Sequence, residues 1–174
     1  MKNRAKSNPD LRVLGIDPGS VHCGYGVISL HGSHPVYVAS GRITPRQSAA
    51  LHIRLRDIHD SLSEIVREFS PDVVVVERIF FAKGIRAALS LGHARGIALL
   101  AAACAGVEFC EFSALEVKKA VVGYGRAEKR QVQDMVRVLL GIRGSLYPDS
   151  ADALALALCY ANTLKFRHAV EQSG

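Results

Sequence analysis

Hydrophobic positions along the chain follow two periods, and their order predicts the elements. Arg12 to Asp17 reads as a strand stopped by Pro18-Gly19, and Gly24 to Leu30 follows after a short polar turn, which predicts an antiparallel hairpin. A third strand, Val36 to Ile43, follows the turn His31-Gly-Ser-His34. Leu51, Leu55, Ile58, Leu62, Ile65 and Phe69 then recur in alternating steps of four and three, the spacing of one helix face, and the helix should end near Ser70-Pro71. Val73 to Val76 is a continuous β-branched run, as in a strand covered on both faces, and Glu77 closes it. Beyond it the pattern predicts a helix from Ile85 to Ala105, a strand from Val107 to Phe112, helices from Ser113 to Val122 and Ala127 to Leu140, and a last helix from Asp149 to about Lys165. Three meandering strands followed by alternating helix and strand make a single α/β domain, a mixed sheet flanked by helices.

Length agrees with one domain. The 174 residues are 49% hydrophobic, enough for a core that needs neither disulfides nor a structural metal. We read residues 1–10 as a disordered basic arm with Lys2, Arg4 and Lys6, residues 11–168 as the domain and residues 169–174 as a tail. Cys23, Cys104, Cys110 and Cys159 form no C-x-x-C pair and sit mostly among apolar neighbours, which suits free buried thiols in a reducing compartment. The longest apolar run, Ile97 to Ala105, falls well short of the ~20 residues that span a bilayer, so no membrane association is expected. A formal charge of +6, from 22 Lys and Arg against 16 Asp and Glu, favours a polyanionic partner.

On this basic chain the informative feature is where the acids sit. Asp17 ends the first strand and Glu77 the fourth; if these strands are parallel neighbours, both acids lie at the carboxyl edge of the sheet, where α/β folds bind ligands. Asp149 and Asp152, three apart behind Pro148, share one face at the start of the last helix. Each acid has an ordinary alternative: an Asx turn for Asp17, an ion pair with Arg78 for Glu77, an N-cap for Asp149. Four carboxylates gathered in one place repel unless cations neutralise them, and all-oxygen ligands suit Mg²⁺ or Mn²⁺. Two such ions, roughly 3.5 to 4 Å apart, can activate a water and stabilise the leaving oxygen of a phosphodiester.

From Arg78 to Val107 the chain has no acid but carries Arg78, Lys83, Arg86 and Arg95, a one-sided basic stretch beside the expected acidic pocket. Phe80 and Phe81 within it are candidates for stacking on an unpaired base, with core anchoring as the alternative. Lys118-Lys119 and Lys129-Arg130 add two basic pairs around Gly123-Tyr-Gly125.

Gly15-Ile-Asp-Pro-Gly-Ser20, Val76-Glu77 with Phe80 and Ala82-Lys83, Leu91-Gly-His-Ala-Arg-Gly96, Val117-Lys118 through Gly123, Ala127-Glu-Lys129 and Asp149-Ser-Ala-Asp-Ala-Leu-Ala155, taken in order, resemble the RuvC-type Holliday-junction resolvases. The resemblance runs from about Arg12 to Tyr160 and implies a ribonuclease-H-like fold, here a mixed five-stranded sheet flanked by helices. It also implies a Mg²⁺-dependent homodimer with two ions per site, Mn²⁺ substituting, that makes paired incisions in four-way DNA junctions during recombination and repair. By position it assigns the metal and catalytic acids to Asp17, Glu77, Asp149 and Asp152, and junction contact to Phe80 with Lys118 and Lys129. Lys83 and Arg86 join them as expected DNA contacts through the basic stretch. RuvA and RuvB are the implied protein partners, and the bacterial cytoplasm beside the nucleoid is the implied location. The N-terminal extension and Arg126, where the family often has a small residue, are the departures. The rival readings are a noncatalytic branched-DNA binder and another ribonuclease-H-like nuclease acting on RNA.

Overall fold

The computed structural model describes residues 10–78 and 84–171. Phe80, Phe81 and Lys83, and the arm up to residue 9, lie outside the described residues. Five strands, β1 (Asp10–Asp17), β2 (Cys23–His31), β3 (His34–Ile43), β4 (Val73–Glu77) and β5 (Glu108–Phe112), form one sheet in the order β3-β2-β1-β4-β5. The pairs β1/β2 and β2/β3 are antiparallel, and β1/β4 and β4/β5 are parallel. The sheet is therefore mixed and five-stranded, as the pattern predicts. Five helices flank it: α1 (Leu51–Phe69), α2 (Ile85–Cys104), α3 (Ala114–Val122), α4 (Lys129–Leu140) and α5 (Pro148–Glu171).

The valine run of β4 shows why that strand does not alternate. Val73 and Val75 pack into the layer of α3, α4 and α5, while Val74 and Val76 pack into the layer of α1 and α2, and all four are buried. Helix α1 turns Ile58, Leu62, Ile65 and Val66 to the sheet and ends where Ser70 adopts a left-handed conformation and donates its N–H to the Val66 carbonyl. Helix α3 begins with a capping box, Ser113 and Glu116 satisfying each other's backbone N–H groups, and Glu128 with Gln131 does the same for α4.

Helix α5 lies closest to the sheet. A Cβ on Gly15 would sit 1.9 Å from the Ala153 carbonyl oxygen, and one on Gly24 would sit 2.1 Å from that of Asp149. These glycines let the helix backbone approach the strand backbones of β1 and β2, and Ala153 through Cys159 are all buried along it. Ser150, fully buried, donates its hydroxyl to the Gly41 carbonyl at 2.7 Å and ties the start of α5 to β3.

Several boundaries differ from the sequence reading. Asp10, expected in the arm, belongs to β1, because it pairs with His31 across the hairpin by backbone register and by a 2.5 Å carboxylate–imidazole contact. Helix α5 continues past Lys165 through Glu171, into the expected tail. Cys23 and Cys159 are buried as expected, but Cys104 is exposed at the end of α2. Helix α2 is long and apolar enough, by length and composition, to cross a membrane, with a mean hydropathy of 1.4 and only 22% of that window buried. Its buried Ala94, Ala98, Ala101 and Ala102 form one face packed with α1, and Arg95 pairs with Glu111 on β5, so it is seated on the sheet.

Since an added methyl at Gly15 has only backbone to meet, Gly15→Ala should lower the unfolding free energy by about 3 kcal/mol in urea denaturation. A loss under about 0.5 kcal/mol would show that α5 does not need this approach.

Candidate metal and phosphodiester site

Strand parity sets the acids. The β1/β4 register ends at Ile16 beside Val76, so Asp17 and Glu77 close neighbouring parallel strands at one level. Val13 and Val75 face α3–α5, and the two-residue repeat turns Asp17 and Glu77 to that same side. Asp152 comes down from α5, whose approach over Gly15 sets its height above the edge. The three acids line one cleft of about 230 Å³ with Lys118 of α3, Lys129 of α4 and an apolar wall that includes Val117, Val132 and Leu156.

The fourth expected acid, Asp149, stands one helical turn before Asp152, and its field reaches Asp17. Asp149 is in the first turn of α5 but does not line the cleft; its Oδ2 lies 3.8 Å from Nη1 of Arg42. Among the described residues Glu77 makes no ion pair with Arg78, which reaches Glu116 at 3.9 Å instead, nor with a more distant arginine. Arg86 is exposed at the start of α2, and Arg95, paired with Glu111, is not available to a phosphate as it stands.

The electrostatics follow from crowding. Burial first, then the fields of Asp152, Glu77 and Asp149, raise the Asp17 pKa from an ordinary 3.8 to about 7, and Lys129 opposes the rise. Burial and Asp152 likewise push Glu77 up. Burial works against the charge of Lys129, but its hydrogen bond to Asp152 and the fields of Asp152, Asp17 and Asp149 outweigh that and hold its pKa above the usual lysine value. Its Nζ lies 2.5 Å from Asp152 Oδ2, while Gln133 donates to Asp152 Oδ1 at 3.3 Å. Cys23, next to this field, is pushed up to about 12 chiefly by burial and stays a thiol.

Among the described residues no three Asp, Glu, His or Cys side chains are already drawn together around one point. Among the described residues the Lys129 ammonium is the one cation touching Asp152. The donor set nonetheless fits a hard divalent cation: three carboxylates share a cleft, and burial together with the fields of its neighbours raises the Asp17 pKa to about 7. Sequence reasoning missed Gln133 and Arg42 as partners of the acids. Gln133 lies one helical turn beyond Lys129, and that i, i+4 spacing was the available signal.

The family model described as Crossover junction endodeoxyribonuclease RuvC matches residues 13–160. The chain is 50% identical to the crossover junction endodeoxyribonuclease RuvC of Syntrophotalea carbinolica over 152 residues, 87% of this chain and 94% of that one. Among solved structures it is similar to T. thermophilus RuvC in complex with Holliday junction substrate, at a TM-score of 0.84 and 34% identity, covering 90% of this chain and 96% of that one. The yeast mitochondrial Holliday junction resolvase, at 15% identity and a TM-score of 0.66 over 92% of this chain and 82% of that one, shares the fold. The architecture is thus the ribonuclease-H-like one.

A raised carboxyl pKa makes the fold favour protonated Asp17. Its stabilising contribution without metal is fully present below about pH 4 and is lost as the pH rises through about 7. In EDTA, Asp17→Asn should therefore raise the unfolding free energy at pH 8, by about 4 kcal/mol if the whole shift is expressed, and leave it nearly unchanged at pH 4. Equal effects at both pH values would mean that the carboxylate carries no such burden.

Proposed function

The chain belongs to the RuvC family of crossover junction endodeoxyribonucleases, whose activity is Holliday-junction resolution, and we propose that the cleft of Asp17, Glu77 and Asp152 is where it cuts the phosphodiester. The observation that carries this reading is the coupling of three carboxylates in one cleft of a chain with net charge +6. A carboxylate cluster repels DNA on its own, whereas a noncatalytic junction binder has no use for one.

Nucleases of this family depend on a divalent metal. Oxygen-only donors favour Mg²⁺, with Mn²⁺ as a substitute, and two ions per site match the phosphodiester chemistry. What the ions supply when bound is Lewis acidity at the phosphorus and a lowered pKa for the attacking water. Asp17, Glu77 and Asp152 are the residues that hold them, with Asp149 at the rim. The apolar wall of Val117, Val132 and Leu156 limits water around the acids and strengthens every charge interaction there. Lys118 and Lys129 place positive charge on the cleft wall where a phosphate would lie, and Lys129 also holds Asp152 in orientation. Phe80, as the residue that stacks at the junction, and Lys83, as a phosphate contact, complete the proposal from sequence; Arg86 is exposed and free to join them.

Two symmetric incisions need two such clefts, so the working form is a homodimer. Helix α2 supports it: Ile85, Leu89, Gly92, Gly96 and Leu100 fall on one face, Ile85 is 81% exposed, and among the described residues nothing lies within 4 Å of where either glycine would carry a Cβ. Single-domain architecture, cooperation with RuvA and RuvB and a place beside the nucleoid in the cytoplasm belong to the same proposal.

On a synthetic immobile four-way junction, Asp17→Asn, Glu77→Gln and Asp152→Asn should each reduce cleavage by about 10³-fold or more while junction affinity stays within a few-fold. Linear duplex and RNA–DNA hybrid serve as controls, and preferential cutting of the hybrid would favour a ribonuclease instead. Sedimentation should give a dimer at micromolar concentration that Gly96→Leu dissociates; full paired incision by a monomer would overturn the dimer.

A further inference from the structure

Among the described residues Arg42 is the one cation placed against Asp149, and three features fix it there. Its backbone pairs with Gly24 in the β2/β3 register, and Gly24 is the glycine over which the Asp149 backbone lies. The preceding residue, Gly41, accepts the Ser150 hydroxyl at 2.7 Å, which fixes the start of α5 to this part of β3. On its other side, the Arg42 Cζ stands 4.3 Å from the centroid of the Tyr147 ring, in the loop leading into α5. Both Arg42 and Asp149 are about three-quarters buried, at 29% and 27% side-chain exposure.

The separation decides what Arg42 does. At 3.8 Å the nitrogen and oxygen are too far apart for a hydrogen bond, so the guanidinium acts on Asp149 through its field. That field subtracts from the negative charge that Asp149 presents one helical turn before Asp152, at the start of α5. Lys129 offsets Asp152 from the α4 side in the same way, by direct contact. The groups around the cluster are thus Lys129 and Lys118 from the helices and Arg42 from the edge strand.

We infer that Arg42, held by Tyr147, is a positioning residue that tempers Asp149 and thereby sets how tightly the acidic cleft binds a divalent cation. This rests on the reading of the cleft as the metal site. It assigns a role to a residue outside the motifs that carry the family resemblance, and it predicts a gain rather than a loss on mutation.

Calorimetry of Mn²⁺ binding to the junction-free protein tests it. Arg42→Gln should bind Mn²⁺ about 5-fold more tightly than the parent, because one opposing charge is gone. Arg42→Lys, which keeps the charge, should restore the parent affinity, and Tyr147→Leu should shift it in the same direction as Arg42→Gln but less. Unchanged or weaker Mn²⁺ binding in Arg42→Gln would overturn the inference. Should that variant not fold, unchanged binding in Tyr147→Leu does so. Asp17→Asn and Asp152→Asn in the same experiment separate the two readings: if they keep full Mn²⁺ affinity, the metal site itself is misplaced; if they lose it while Arg42→Gln is unchanged, only the role of Arg42 fails.

Discussion

How closely α5 can lie against β1 and β2 governs the rest of the structure. Gly15 and Gly24 leave no side chain between the helix and the strands, and a methyl on either would meet helix backbone at about 2 Å. Because the helix is seated there, Asp152 comes to the carboxyl edge of the sheet, where strand parity has already turned Asp17 and Glu77 the same way. A larger residue at either glycine would lift the helix and separate its acid from the other two. The geometry of the site is thus a consequence of backbone packing rather than of contacts among the acids, which repel.

That repulsion is large enough to matter. It contributes, with burial, to a pKa of about 7 for a residue that ordinarily ionises near 4. The fold answers with local positive charge: Lys129 at Asp152, Arg42 at Asp149, and the positive end of the α5 helix dipole. None of these reaches Asp17 directly. Asp17 and Glu77, the two strand-end carboxylates, are opposed only by the field of Lys129, which is the condition a divalent cation is suited to relieve.

Much of this was legible in the sequence because it is local. A run of four valines closed by Glu77, an apolar strand closed by Asp17, and an Asp pair behind Pro148 each announce an element and its acid within a few residues. The hairpin of β1 and β2 was legible too, but the neighbourhood of β1 and β4 was only a condition in the sequence, and the strand order comes from the structure. Pairings between distant residues were not legible: Arg42 with Asp149 spans more than a hundred positions, and its only trace is an arginine in an edge strand. Lys129 read as a DNA contact because nothing in its neighbourhood reveals the carboxylate that α5 sets against it. Gly15 and Gly24 read as ordinary strand positions, since only the packed helix shows that no other residue fits there.

The most direct test of an uncompensated carboxylate cluster built to take a cation is the titration of the Asp17 side-chain carboxyl carbon by ¹³C NMR, with and without Mg²⁺. The account predicts a midpoint near 7 in the metal-free protein and a fall to the ordinary carboxylate range or below once Mg²⁺ is present. A metal-free midpoint near 4 that ignores Mg²⁺ would contradict it.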